Sequence, residues 1–180
     1  MYTFHYQVTE DDHFEYRLCH NYTAPAYRKK IMMNKYLSPA LFMVWAIILG
    51  FIFGHSLSVY IFSCAISIVW IVSFRKRVER NIRKSLKLAS ESGKSPFIAD
   101  VKMSFDDEKF AMTSKDVEAS INYSAIEKIV TGPNALYLYV SASTGYLLPY
   151  RMFASEEEKV AFLQFIKQKT NAPVIAGVSK

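Results

Sequence analysis

Residues 36–74 read YLSPALFMVWAIILGFIFGHSLSVYIFSCAISIVWIVSF and contain no Asp, Glu, Lys or Arg. As a single helix this stretch would be about 58 Å long, nearly twice the roughly 30 Å hydrocarbon core of a bilayer. Gly54-His55-Ser56 interrupts the apolar run near its middle and leaves about 18 residues on each side. The stretch therefore predicts a transmembrane hairpin of two helices, at about 37–53 and 57–74.

Basic residues flank this stretch on both sides and account for 11 of the 22 Lys and Arg residues. They are Arg28, Lys29, Lys30 and Lys35 before it, and Arg75, Lys76, Arg77, Arg80, Arg83, Lys84 and Lys87 after it. The rest of the chain carries 11 basic and 15 acidic residues, so it is mildly acidic although the whole chain has a net charge of +6. A nucleic-acid binder is expected to keep its basic stripe on the folded domain, beside groups that read bases. The distribution argues against nucleic acid as a partner.

The same flanks predict the topology. Lys and Arg next to an apolar segment favour the cytoplasmic side of a membrane. We expect both chain ends in the cytoplasm and residues 54–56 on the other side of a membrane that the chain crosses twice. Residues 1–12 lack the basic start and apolar core of a cleavable signal peptide, so the first membrane helix would serve as the insertion signal.

The seven basic residues after the hairpin are candidate contacts for the headgroups of an anionic lipid bilayer, because each attracts them by about 1 kcal/mol near the surface. They belong to a predicted juxtamembrane helix, residues 75–95, in which Val78, Ile82 and Leu86 recur at helical spacing. Such a narrow apolar stripe favours packing on the N-terminal helix or the following domain over lying on the membrane surface. Residues 90–96 have turn chemistry and mark a domain boundary.

Small residues predict how the membrane helices pack. Gly50 and Gly54 have a small-xxx-small spacing on the first helix, and Ser63 and Ser67 form a weaker counterpart on the second. Packing of the two helices within one chain is the favoured interpretation, and a homodimer through these helices is the alternative. With no carboxylate or lysine inside the membrane, a pore or transporter is disfavoured.

Residues 1–35 predict a strand followed by helix. Tyr2 to Val8 alternates aromatic or apolar with polar side chains, which is typical of a strand. Thr9 precedes three acidic residues, 10–12, as at the start of a short amphipathic helix. Pro25 suits the first turn of a helix that continues into the membrane.

Residues 96–170 predict a β domain that ends in a helix. The expected strands are 97–105, 110–113, 119–123, 125–130, 136–140 and 146–148. Ser155 to Glu158 forms a capping box at the start of the final helix, and the tail, residues 171–180, is expected to fray. The predicted fold class is an α+β membrane protein: a helical hairpin with an antiparallel β domain closed by a C-terminal helix.

This order of strands and helix resembles a truncated pleckstrin-homology-like barrel. The chain is also similar to the YcxB-like family of bacterial membrane proteins. The resemblance rests on residues 4–12 (FHYQVTEDD), 121–126 (INYSAI) with Ile129, 137–139 (YLY) and 148–153 (LPYRMF). The resemblance implies a protein of the bacterial cell (inner) membrane with a cytoplasmic pleckstrin-like domain and no established activity. It also suggests that Tyr2 to Val8 pairs with the C-terminal sheet.

Candidate catalytic and metal-binding groups are few. His13 and His20 share a helix face near Cys19, but seven residues span about 10 Å of helix, too far for two ligands of one ion without a third element. The acidic clusters lie where carboxylates cap helices or face turns. We therefore expect no metal and no cofactor. Arg151, in the family-like stretch, is the candidate interaction residue outside the basic flanks.

Three functions remain open at this stage. The leading hypothesis is a non-enzymatic, membrane-anchored protein whose β domain binds an unknown protein partner through a sheet edge or groove. The second is a lipid-binding or lipid-sensing module that uses residues 75–87. The third is an enzyme whose site forms at the membrane face.

Overall fold

The computed structural model describes residues 1–54, 57–91, 99–115 and 117–177, and the chain forms two compact units. The helical unit comprises residues 21–85, and the sheet unit comprises residues 1–20 together with 86–180. The segments before and after the helical unit therefore build one sheet unit. His55, Ser56 and most of the predicted turn at 90–96 lie outside the described residues.

Four α-helices are described: α1 (Glu10–Thr23), α2 (Pro25–Phe53), α3 (Leu57–Glu91) and α4 (Glu156–Lys169). Helices α2 and α3 are long and apolar enough to cross a membrane. The predicted break between them is confirmed, since α2 ends at Phe53 and Gly54 follows with φ of +84°, a left-handed conformation that favours glycine. Helix α3 continues without a break through the basic segment to Glu91.

Within the helical unit, α2 and α3 contact each other through side chains that fix an antiparallel arrangement. The Phe42 and Trp70 rings meet edge to face at 6.1 Å, and the sulfur atoms of Met43 and Cys64 lie 3.9 Å apart. Each contact joins a residue before the break to one after it. The two helices thus form a hairpin.

The first sheet contains β1 (Tyr2–Val8), β2 (Ala99–Phe105), β3 (Lys109–Ser114) and β4 (Val117–Asn122), in that order and all antiparallel. Strand β1 pairs with β2 over its whole length, from Tyr2 opposite Phe105 to Val8 opposite Ala99. The pairing that the family resemblance suggested is therefore confirmed. The second sheet contains β5 (Lys128–Thr131), β6 (Ala135–Tyr139), β7 (Gly145–Pro149) and β8 (Val174–Ala176), in the order β7-β6-β5-β8.

The inward faces of both sheets and one face of α4 form the core of the sheet unit. Phe162 of α4 is fully buried, with its ring centroid 4.8 Å from that of Phe105 and 5.2 Å from that of Phe4. Ser155 caps α4 by accepting a hydrogen bond from the Glu158 amide, as the capping box predicted. The helix therefore covers the end of the sheets where β1 begins and β2 ends.

Two sequence-based expectations were wrong. Residues 123–125, which the sequence placed at the end of strand 119–123 and the start of strand 125–130, form a 3₁₀ turn that the Ile126 amide closes by donating to the Tyr123 carbonyl at 3.1 Å. The Tyr123 hydroxyl also donates to the Asp106 carbonyl at 2.8 Å. The tail does not fray directly after Thr170, because residues 174–176 pair in parallel with β5. A parallel edge pair joins segments distant in sequence, which a local pattern does not reveal.

Candidate functional site

An apolar groove of about 310 Å³ lies between the two sheets of the sheet unit. We call it the intersheet groove; the residues that line its base and walls include Tyr6, Val8, Val101, Met103, Met112 and Leu147. These residues lie at the end of the sheets where β1 ends and β2 begins, opposite the end that Phe162 fills. The position of α4 at one end thus leaves an apolar opening at the other.

The strand register places the lining side chains. In β2, Val101 and Met103 point inward, and Met103 pairs directly with Met112 across the β2–β3 ladder. Two methionines side by side make a soft, adaptable apolar surface. Sequence reasoning missed this groove, although the alternation in 101–105 and 110–114 carries the signal that both methionines face the same side.

Tyr6 joins the two sheets at the base of the groove. Its hydroxyl donates to the Leu147 carbonyl at 2.5 Å and lies 3.0 Å from the Met103 sulfur. Burial, together with the negative charge of Asp12, raises the pKa of Tyr6 well above its ordinary value. The phenol therefore stays neutral at physiological pH and serves as a fixed hydrogen-bond donor between β1 and β7.

Two residues of α1, His13 and Tyr16, add polar atoms to the groove wall. Burial lowers the pKa of His13, and the nearby Arg17 lowers it further, so the imidazole is neutral at pH 7. Gly145 lies opposite Tyr16, and a Cβ at Gly145 would lie 3.1 Å from the Tyr16 hydroxyl. The groove is thus apolar at its base and walls, with an uncharged polar contribution from α1.

Arg151 binds the start of α1. Its guanidinium donates to both carboxylate oxygens of Asp12, at 2.7 and 2.5 Å, and to the Gln7 carbonyl at 2.7 Å. The same carboxylate accepts hydrogen bonds from the amide and hydroxyl of Thr9 at 2.7 and 2.8 Å, which caps the helix. Arg151 therefore has a partner within the sheet unit, and its first role is to hold β1 and α1 on the domain.

The ionisation of this pair follows from its contacts. Burial alone would raise the pKa of the Asp12 carboxyl, but the hydrogen bonds from Arg151 and Thr9 outweigh burial and lower that pKa. The hydrogen bond to Asp12 also raises the pKa of Arg151. Both groups remain charged at neutral pH.

The basic residues of α3 lie mainly on its exposed side. Those exposed to solvent are Arg75, Lys76, Arg80, Arg83, Lys84 and Lys87. Arg77 is half-buried, with its guanidinium 3.7 Å from the centre of the Trp70 ring, and Arg75 pairs with Glu79 at 3.1 Å. Ile82 and Leu86, from the predicted apolar stripe, are buried. Val78, the third residue of that stripe, is half-buried, whereas six of the seven basic side chains are exposed.

The predicted packing residues of the hairpin have different surroundings. Gly50 and Ser67 are buried in the helical unit, and Ser63 is half-buried with its hydroxyl bound to the Val59 carbonyl. Gly54 lies beyond the end of α2, and a Cβ there would meet nothing within 4 Å. Gly54 therefore ends the helix, and the packing role of Gly50, Ser63 and Ser67 stays a prediction.

The histidine and cysteine candidates pack against the second sheet. Cys19 is buried against Val130, Ala135, Tyr137 and Tyr139, and the His20 ring stacks on Tyr139 at 5.7 Å. Within the described ranges, no group of three or more His, Cys, Asp or Glu side chains is placed to hold a metal ion.

Comparison with known proteins gives one family. Neither the curated proteins nor the solved structures contain a match to the chain. The family model described as YcxB-like protein matches residues 105–166, which run from the end of β2 into α4 and include β3 to β7. The resemblance seen in the sequence motifs is confirmed over this range, so the sheet unit contains a YcxB-like domain at residues 105–166.

Proposed function

We propose that this is a non-enzymatic protein of the cell membrane, anchored by α2 and α3, whose cytoplasmic pleckstrin-homology-like domain binds a partner protein. The observation that carries the proposal is the intersheet groove, an open apolar site on a folded domain. The partner would insert apolar side chains of an extended segment into the groove.

Three observations support the anchor. Helices α2 and α3 have 29 and 35 residues, enough to span a bilayer, and large apolar side chains such as Phe53, Phe62 and Val69 are exposed on them. Basic residues flank the hairpin on both sides. Since β1 pairs with β2, the chain must enter and leave any membrane on the same side, which two spans permit and one does not.

The pleckstrin-homology-like assignment rests on element order. Strands β1 to β4 form one antiparallel sheet, β5 to β7 form part of the second, and α4 closes one end. The helical hairpin is inserted in the connection between β1 and β2. The domain would thus be held at the membrane by its own first strand connection.

The size and chemistry of the groove favour a protein segment. A volume of about 310 Å³ is at the lower end of small-molecule sites, which suits a few apolar side chains better than a large cofactor. Met103 and Met112 can adapt to side chains of different shape. Strand β4 is the edge of the first sheet, so an extended segment could add to it while its side chains enter the groove.

In-cell photo-crosslinking tests this function. A photoreactive amino acid at position 112 should crosslink to one specific protein, because Met112 lines the groove. The matched control is position 113, since Thr113 is exposed and points to the opposite face of β3. Met112→Lys should abolish capture from a second reactive position at Val117. Equal capture from positions 112 and 113, or recovery of only abundant membrane proteins, would reject the proposal.

The exposed basic side of α3 favours a second function, binding of anionic lipid headgroups. We expect a synthetic peptide of residues 75–91 to float with vesicles containing anionic lipid, and binding to fall steeply between low and physiological salt. A control peptide with Gln at the seven basic positions should stay unbound. Binding that ignores salt, or that is equal for the two peptides, would reject this function.

A further inference from the structure

Lys35 of α2 and Arg77 of α3 lie at the same level on the facing sides of the helical hairpin. The contact between the Phe42 and Trp70 rings fixes which sides of the two helices face each other. Lys35 precedes Phe42 by seven residues and Arg77 follows Trp70 by seven, which in each helix is nearly two turns, or about 10 Å. Because the helices are antiparallel, both cations lie toward the same end of the hairpin from this ring contact.

Lys35 and Arg77 are both half-buried, whereas residues 32–34, 36, 75 and 76 beside them are exposed. The guanidinium carbon of Arg77 lies 3.7 Å from the centre of the Trp70 ring, and the guanidinium donates to the Ser73 hydroxyl at 2.5 Å. These two contacts fix the orientation of the Arg77 side chain. Since a guanidinium has five N–H donors, the group keeps donors for a ligand.

No carboxylate of the helical unit balances these two cations. Residues 21–85 contain ten Lys and Arg residues and one acidic residue, Glu79, which pairs with Arg75 at 3.1 Å. In the part of the chain that the structure describes, neither Lys35 nor Arg77 forms an ion pair with a carboxylate. Half-buried charges of one sign at one level repel each other, and an anion that contacts both removes this repulsion.

We infer that Lys35 and Arg77 together bind the phosphate of one anionic phospholipid. The inference rests on the proposed membrane anchor, and the site differs from the exposed basic side of α3 because both helices build it. Lys35 directly precedes the uncharged stretch, so it lies where headgroup phosphates meet the hydrocarbon. Tyr36 and Leu37, which are 54% and 49% exposed, offer apolar surface to acyl chains beside the site. A free phosphate has no acyl chains to make this contact.

Fluorescence quenching of Trp70 measures which lipid occupies the site. The whole chain carries Trp45→Phe, which leaves Trp70 as its sole tryptophan, and is reconstituted in vesicles that mix phosphatidylcholine with bromine-labelled phosphatidylglycerol. Bromine quenches the indole only at close range, so the dependence of quenching on lipid composition gives the preference for phosphatidylglycerol over phosphatidylcholine. We expect a preference of at least about tenfold at about 0.15 M salt, where charges exposed to solvent are screened.

Substitutions test whether the two cations hold the same phosphate. Lys35→Gln and Arg77→Gln should each lower the preference at least about fivefold. Lys29→Gln and Lys76→Gln remove exposed charges from the same two helices and should lower it less than about twofold. The chain with both Lys35→Gln and Arg77→Gln should lose no more than about twofold beyond either single variant, because both groups act on one ligand. Lys35→Arg keeps the charge and should keep the preference within about twofold.

Three results would overturn the inference: no preference in the Trp45→Phe chain, equal losses at the exposed and half-buried positions, or losses at Lys35 and Arg77 that multiply when combined. Millimolar inorganic phosphate should leave the preference unchanged. If it abolishes the preference, the site binds free phosphate and the assignment to a lipid is wrong.

Failure of this inference is distinguishable from failure of the proposed functions. A chain that an alkaline wash removes from the vesicles refutes the membrane anchor, whereas an anchored chain without lipid preference refutes the Lys35 and Arg77 site alone. The peptide of residues 75–91 lacks Lys35, so its flotation tests the exposed basic side of α3 and leaves this site to the quenching measurement.

Discussion

At the scale of residues, Arg151 and Asp12 are 139 positions apart in sequence, yet they form one of the contacts that hold α1 to the YcxB-like domain. Asp12 also completes the cap of α1 through Thr9. The sequence singled out Arg151 as an interaction candidate and read residues 10–12 as a helix cap. It could not show that the two meet, because ion pairs between distant segments leave no local pattern.

Loss of Arg151 should destabilise the sheet unit. Arg151→Ala leaves the buried Asp12 carboxylate without its charged partner, and we predict a loss of about 1–3 kcal/mol in the free energy of unfolding. Lys167→Ala, at an exposed position of α4, is the control and should change it by less than about 0.5 kcal/mol. Chemical denaturation, monitored by the circular dichroism of the tyrosine side chains, measures the free energy of unfolding of both variants. A loss equal to that of the control would contradict the structural role of Arg151.

The same pair predicts a pH dependence. Because folding lowers the pKa of Asp12 from its ordinary value of 3.8, its contribution to stability is present above that value and is lost as pH falls through the lower folded-state pKa. The difference in unfolding free energy between the native chain and Asp12→Asn should be constant near neutral pH and shrink below about pH 4. Chemical denaturation of both proteins at a series of pH values measures this difference in unfolding free energy. A difference that grows in acid would refute the assignment.

At the scale of elements, the apolar stretch and its glycine break predicted α2 and α3 closely. Most strands of the β domain were also predicted to within a few residues, because their side chains alternate. The parallel strand β8 was missed, since Val174 to Ala176 shows no alternation of buried and exposed side chains and is held by its backbone. The intersheet groove was missed because it depends on how two sheets face each other.

The helical hairpin predicts a crosslink. Met43→Cys should react with Cys64 through dibromobimane, which becomes fluorescent when it bridges two nearby thiols, because the two sulfur atoms at these positions lie 3.9 Å apart. Val44→Cys is the control, since residue 44 is exposed and turned about 100° around the helix. Both variants also carry Cys19→Ala, so that Cys64 and the introduced cysteine are the two thiols present. The bimane fluorescence of the two variants is compared at equal labelling. Equal signals from positions 43 and 44 would contradict the antiparallel contact.

At the scale of the whole molecule, the register of β1 with β2 constrains the topology more strongly than charge does. The chain passes from Val8 through both long helices and returns to pair at Ala99. Basic flanks bias the orientation of a hairpin, whereas seven paired residues require both flanks in one compartment. From the sequence, only the family resemblance suggested that Tyr2 to Val8 pairs with the C-terminal sheet.

We propose that the sheet unit is assembled on one side of a membrane from both flanks of a two-helix anchor. Dual reporter fusions, active in either the cytoplasm or the exterior, test it most directly when placed before residue 1, at residue 55 and after residue 180. We predict cytoplasmic signals from both ends and an exterior signal from residue 55. Signals from the two chain ends on opposite sides, or a cytoplasmic signal from residue 55, would contradict the claim.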